Sequence, residues 1–398
     1  MNKKISLGVA ISLVAIGCAI TFVLTWAVSL NVYNSKIGTA EKYEGMYAKL
    51  REIDAAVRNN YIGTLNEENI ENSIINGYVS GLNDRYASYM SSSSYYEIQQ
   101  ANDGVILGAG FEVENDGSGY LKVTNVYKGS SAELNGVIAG DVITEIDGKS
   151  LLSMGADAAE ERLSGEVGTR VALKLLRDGE EVSVNLIRQQ LEIESVTGKF
   201  LDNNVAYVRI STFNAKTAEQ FANVLNIMNT TGAESLIIDV RQNSGGLVSA
   251  LKPILNRFIP AATVATAEYA DGSRKAIVET DSDTIFDLPM VILVDGRTAS
   301  AAELFAGALR DECGAMIVGT QTYGKAVMQN TYEFSDGSAL TISTAKVYLT
   351  KSGTWDETGL KPDYLVELNI DAAIEDLTPE SDAQLQKAIE IITAASAA

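Results

Sequence analysis

Two residues of this chain could do covalent chemistry together. Ser300 lies in Asp295-Gly296-Arg297-Thr298-Ala299-Ser300-Ala301-Ala302-Glu303, and Lys325 lies in Tyr323-Gly324-Lys325-Ala326-Val327-Met328-Gln329. A serine hydroxyl is a weak nucleophile until a neighbouring base takes its proton. The chain contains no histidine, so a Ser-His-Asp triad is excluded. A neutral lysine amine is the remaining common base, an established variant of the same logic. To be neutral at physiological pH, Lys325 needs a downward shift of about 3 units from about 10.4, within what burial achieves.

The elements that must position these groups follow from the surrounding pattern. Ser300-Ala301-Ala302-Glu303 reads as a capping box opening a helix through Leu309. A serine there sits where helix amides point outward, so the Ala301 amide is a candidate oxyanion donor. Asn243-Ser244-Gly245-Gly246 follows the apolar strand Ser235 to Val240. Strand ends of this kind line ligand crevices, and an amide of Gly245 or Gly246 is the candidate second donor. Gln329 follows Lys325 by four residues. In a helical turn the two lie roughly 6 Å apart at Cβ and touch. In a strand they lie roughly 13 Å apart, so only a turn or a sharp bend lets Gln329 orient the amine.

Composition limits the alternatives. A formal net charge of -21 disfavours nucleic acid as a partner. The uncharged run from Ile5 to Leu30 after Lys3 and Lys4 is long enough to span a bilayer. It predicts a single-pass anchor in the cell membrane through residues 5–30, with a cytoplasmic N-terminus and the rest of the chain outside. Cleavage after Ala27-Val28-Ser29, and lipidation of Cys18, are weaker readings of the same run. Cys18 and Cys313 are the only cysteines, and Cys/His metal spacings are absent, so no metal or cofactor is expected.

Apolar residues recur at helical spacing from Ala40 to about Gln100. From Gly104 to Arg188 short strands alternate with glycine turns, ending in a strand pair joined through Asp178-Gly179. This run, through Gly140-Asp141-Val142-Ile143 and Ile146-Asp147-Gly148, resembles a PDZ domain. Such domains add an extended peptide to a sheet edge and hold its carboxylate on backbone amides. The corresponding loop is Leu107, Gly108, Ala109, Gly110 and Phe111. From Gln190 onward, buried apolar strands alternate with helices, which predicts an α/β core.

Four segments match the carboxyl-terminal processing peptidases in order. They are Gly77 to Leu82, the PDZ-like run, Asp239-Val240-Arg241-Gln242-Asn243-Ser244-Gly245-Gly246, and the serine–lysine region. The resemblance implies a crotonase-like core with an inserted PDZ domain, an N-terminal helical segment and the transmembrane helix. It implies a membrane-anchored serine endopeptidase acting on apolar C-terminal tails of exported proteins. Ser300 is then nucleophile, Lys325 base and Gln329 its orienting partner, with Asp311 as structural support. Family precedent also points towards a homodimer. The expected divisions are an anchor at 1–36, a helical domain at 37–103, a PDZ domain at 104–189, a peptidase core at 190–370 and a helical tail at 371–398. Ser164 stands where the family has an arginine linked to PDZ–substrate coupling, and Arg85 where a proline is common. A catalytically silent PDZ scaffold is the rival from another class. Ser343-Thr344-Ala345-Lys346 and Lys351-Ser352-Gly353 echo transpeptidase motifs, but that chemistry needs Ser-x-x-Lys on a helix.

Overall fold

The computed structural model describes residues 7–115, 117–155, 159, 162–283, 286–368, 374 and 377–396. It divides into a unit up to Ile74 and a larger unit from Ile75 to Ala398.

In the first unit, one helix runs from Leu7 to Asn60 and a second begins at Glu67. Between them lies a break around Gly63. The expected transmembrane span gains no support. Among the described residues no helix is long and apolar enough to cross a membrane. Much of the span, residues 5–7, 9–15, 27, 28 and 30, has side chains outside the described set.

The larger unit is built from sheets. The part of the chain from Val196 onward carries a six-stranded sheet in the order Val196–Phe200, Val205–Ile210, Ser235–Asp239, Met290–Val294, Met316–Gly319 and Tyr364–Leu365. The first pair is antiparallel and the rest parallel. Alternation along the central strands feeds two separate cores. Leu236, Ile238, Ile292 and Val294 face one, with Phe305 and Leu309 of the Ala301–Cys313 helix. Ile237, Val291 and Leu293 face the other, with Leu385, Ala388 and Ile392 of the Ala383–Ser396 helix. Both faces are therefore covered, which is why these strands read as continuous apolar runs.

A second, antiparallel sheet centres on Ala339–Leu349, paired with Ser88–Met90, Ala262–Tyr269 and Val327–Glu333. Ser88–Met90 lies inside the stretch read as helical. Three exposed or half-exposed residues carry too little periodicity to announce a strand, and its partner Ala339 to Thr341 is distant in sequence. The inserted domain has its own sheet, with Phe111–Asn115 on the edge, then Leu121–Val126, Val142–Ile146, Arg170–Arg177 and Glu180–Ile187. Its core includes Leu121, Ile143, Ile146, Leu175 and Leu186. The chain enters and leaves this domain through one antiparallel pair, Val105–Gly108 with Gln189–Glu192.

Arg188 is buried and donates to the carbonyls of Arg162, Leu163 and Arg170. A Cβ on Gly165 would come within 2.9 Å of its Nε. Arg188 thus braces the loop that carries Ser164.

Candidate active site

Ser300 stands between the apolar strand Met290–Val294 and the Ala301–Cys313 helix, at φ 56° and ψ -118°. A non-glycine residue held at positive φ is strained, and such strain concentrates at functional sites. Residue type alone did not reveal it. The Ser300 amide donates to Glu303 Oε2 at 2.9 Å, so the expected capping box forms. The Ala301 amide has no hydrogen-bond partner among the described residues, as befits the first turn of a helix.

Glu303 does more than cap. It is fully buried, and its Oε1 accepts from Thr322 Oγ1 at 2.5 Å and from the Gly324 amide at 2.7 Å. Its Oε2 also accepts from the Lys325 amide at 2.9 Å. One carboxylate thereby ties the backbone of Ser300 to that of Lys325. The four donors satisfy the lone pairs of an anion that would otherwise be costly to bury.

Lys325 follows Gly324, whose φ is 90°. A Cβ on Gly324 would come within 2.9 Å of the Gly359 amide nitrogen, so glycine is required there on two counts. Gly324 to Ala326 is irregular, and the strand begins only at Val327. Between the alternatives read from the spacing, the bend is realised and the helical turn is not. Lys325 Nζ donates to Gln329 Oε1 at 2.6 Å, although Gln329 itself is on the strand. The ladder slips in register between Met328 and Gln329, which re-aims the Gln329 side chain. Burial pushes the Lys325 amine below its ordinary pKa, against a smaller opposing effect of the Asp84 carboxylate. The structure contains no hydrogen bond between Ser300 Oγ and Lys325 Nζ; the amine is turned to Gln329.

The glycine turn also reaches Ser300. A Cβ on Gly245 would lie 2.9 Å from the Ala299 carbonyl oxygen and 3.0 Å from Ser300 Cβ. Its own amide is already committed to Asn243 Oδ1 at 2.8 Å. The Gly246 amide has no partner among the described residues, which leaves it as the uncommitted donor of the pair. Behind the turn, fully buried Arg241 binds Asp239, Asp382 and Gln384. These bonds join the turn to the segment that opens the Ala383–Ser396 helix.

The transpeptidase echo dissolves on inspection. Ser343 and Lys346 lie on the Ala339–Leu349 strand. The Ser343 amide and hydroxyl both donate to Asp84, at 2.8 and 3.0 Å. Asp311, read as structural support, accepts from Lys351 Nζ through its carbonyl and from the Ser352 amide through its carboxylate.

The inserted domain presents a cavity of about 920 Å³ beside its edge strand. Leu107, Gly108, Ala109 and Phe111 line it, together with Tyr96, Glu97 and Gln100 of the Ser92–Asp103 helix. The amides of Ala109 and Gly110 have no partner among the described residues. Gly110 has φ 95°, and a Cβ there would meet Ser130 Cβ at 2.1 Å. The sequence-predicted loop therefore surrounds an open edge with free donors, as carboxylate capture requires.

Known proteins resemble both parts of this unit. The model for peptidase family S41 matches residues 204–366, and a PDZ domain model matches residues 122–177. A carboxyl-terminal-processing protease from Synechocystis sp. is 30% identical over 319 residues, covering 78% of this chain and 74% of that protein. The carboxy-terminal processing protease CtpA of Bacillus subtilis is 29% identical over 333 residues, covering 83% and 71%. Among solved structures, a putative S41 protease from Bacteroides fragilis has a TM-score of 0.50 at 16% identity, covering 84% of this chain and 92% of that one. That last likeness concerns the fold alone.

Proposed function

Since the chain belongs to peptidase family S41, among the PDZ-containing serine proteases that process carboxyl termini, we propose that its chemistry is carried by Ser300 and Lys325. Neutral Lys325 takes the hydroxyl proton as Ser300 Oγ attacks the scissile carbonyl. The Ala301 and Gly246 amides hold the oxyanion. Lys325 then returns the proton to the leaving amine and activates water to release the acyl group. The lysine side chain has four flexible carbons, and the step requires its amine to turn from Gln329 Oε1 towards Ser300.

The observation that carries this reading is the setting of the lysine. Its amine is half-buried, lowered in pKa by that burial, and bonded to Gln329, while its backbone shares an anchor with the nucleophile. The free amides of Ala109 and Gly110 support the groove as the place where a substrate's tail carboxylate docks. The test is incubation of the chain with unstructured proteins bearing apolar tails. Ser300→Ala should retain tail binding and lose cleavage; cleavage at the wild-type rate would refute the assignment.

Residues 5–30 are proposed as a membrane tether on sequence grounds, with the catalytic unit outside. Fractionation of the full chain against a chain starting at residue 37 tests this. Equal recovery of both in the soluble fraction would end the proposal.

A further inference from the structure

The segment Asp84-Arg85-Tyr86 comes to the base from far away in sequence. Gln329 Nε2 donates to the Tyr86 carbonyl at 2.7 Å, across 243 residues. Because the amide nitrogen is spent on that carbonyl, Oε1 must face Lys325 Nζ, which donates to it at 2.6 Å. The Tyr86 carbonyl therefore decides which end of Gln329 meets the amine. An amine that gives one N–H to Oε1 has its lone pair directed elsewhere, as a base requires.

The Tyr86 side chain closes the other side. Its ring centroid lies 5.0 Å from Lys325 Nζ, and its hydroxyl donates to the Gly324 carbonyl at 3.3 Å. The turn that presents Tyr86 is itself pinned. Asp84 Oδ1 accepts from the Tyr86 amide at 3.0 Å, and Asp84 also accepts from Ser343. Ser343 is the strand partner of Gln329. Asp84, Ser343, Gln329 and Tyr86 thus form a closed circuit of contacts around the lysine.

We propose that Tyr86 is a positioning residue for the general base, its carbonyl fixing the Gln329 amide and its ring walling Lys325 Nζ from water. The proposal rests on the Ser300–Lys325 dyad. The charged groups near this amine are Asp84 on the same turn and Arg85, whose guanidinium lies 4.6 Å from the Tyr86 ring centroid and 5.2 Å from that of Tyr323. Glu303 holds the lysine's backbone.

The test is kcat/KM of the full chain on a tail peptide across about pH 5 to 10, for wild type, Tyr86→Phe, Tyr86→Leu, Tyr86→Ala and Lys325→Ala. Tyr86→Phe keeps the ring and carbonyl and should stay within about 3-fold of wild type. Tyr86→Ala admits water to the amine. Its acidic limb should move up by about one unit, a loss of about 10-fold at neutral pH that shrinks as pH rises. Tyr86→Leu should move the limb less and in the same direction, and it carries the test if Tyr86→Ala does not fold. An unmoved limb in both, or a loss by one factor at every pH, overturns the proposal. If Lys325→Ala is as active as wild type, the dyad itself fails; if Lys325→Ala is inactive and the limb still does not move, only the role of Tyr86 fails.

Discussion

Ser300 and Lys325 share one acceptor: their backbone amides each donate at 2.9 Å to the same oxygen, Oε2 of Glu303. The helix that Ser300 opens and the loop that carries Lys325 are thus registered by a single buried carboxylate. All four groups on that carboxylate are donors. Glu303→Gln turns one oxygen into an amino group that faces two of them. The expected cost is about 2–3 kcal/mol of stability with at least a tenfold fall in kcat. Urea unfolding and peptide cleavage measure the two; an unchanged midpoint and rate would contradict the shared anchor.

The lysine gives the pH dependence its sign. Burial holds its pKa below the ordinary value, and the base acts deprotonated. Activity therefore climbs as pH rises through the lowered value. Stability follows the same direction, because in the window between the lowered and the ordinary value the unfolded chain binds the proton and the folded chain does not. A kcat/KM profile whose acidic limb sits at the ordinary lysine value would argue against this environment.

Much of this was legible in the sequence, and the remainder has definite physical causes. Ser235 to Val240 announced itself because strands covered on both faces are apolar throughout. Ser300 and Lys325 stood out by residue type in a chain without histidine. Glu303 was read only as a cap, since nothing local shows that Thr322, Gly324 and Lys325 fold onto it. Tyr86 was invisible for the same reason. The strand Val327–Glu333 was left open because its register slip at Met328 and Gln329 depends on a partner strand.

The glycine turn predicts a separable defect. Gly245→Ala places a methyl 3.0 Å from Ser300 Cβ and 3.1 Å from the Ala301 nitrogen, at φ 110°. Displacing the Ala301 amide should lower kcat about 100-fold with KM little changed. Gly246→Ala instead meets the Phe213 carbonyl oxygen at 2.1 Å, so it should destabilise the fold. Calorimetry alongside kinetics separates them, and indistinguishable melting temperatures would count against the distinction.

The buried arginine behind that turn makes a stability prediction. Arg241→Leu leaves Asp382 buried without its cation and Asp239 with only the more distant Arg209 at 3.8 Å. The loss should be about 3–5 kcal/mol, read as a shift of the denaturation midpoint. A loss below about 1 kcal/mol would mean that the network relaxes freely.

The cavity beside the edge strand carries Glu97, Glu112 and Glu166, with no lysine or arginine among its described lining residues. Tyr127 donates its hydroxyl to Glu112. Tails with a lysine upstream of an apolar end should bind about 3- to 5-fold tighter than the same tails with glutamate, and high salt should erase the difference. Fluorescence anisotropy with paired peptides reads it; equal affinities at low salt would remove charge from the account of selectivity.

The most direct measurement is the location of the acyl group. An activated peptide ester is mixed with the chain, quenched, digested and mapped by mass spectrometry. The predicted adduct is on Ser300, absent from Ser343, and forms at least 100-fold more slowly in Lys325→Ala. An adduct on another residue, or one that appears on Ser300 at the wild-type rate without Lys325, would contradict the dyad.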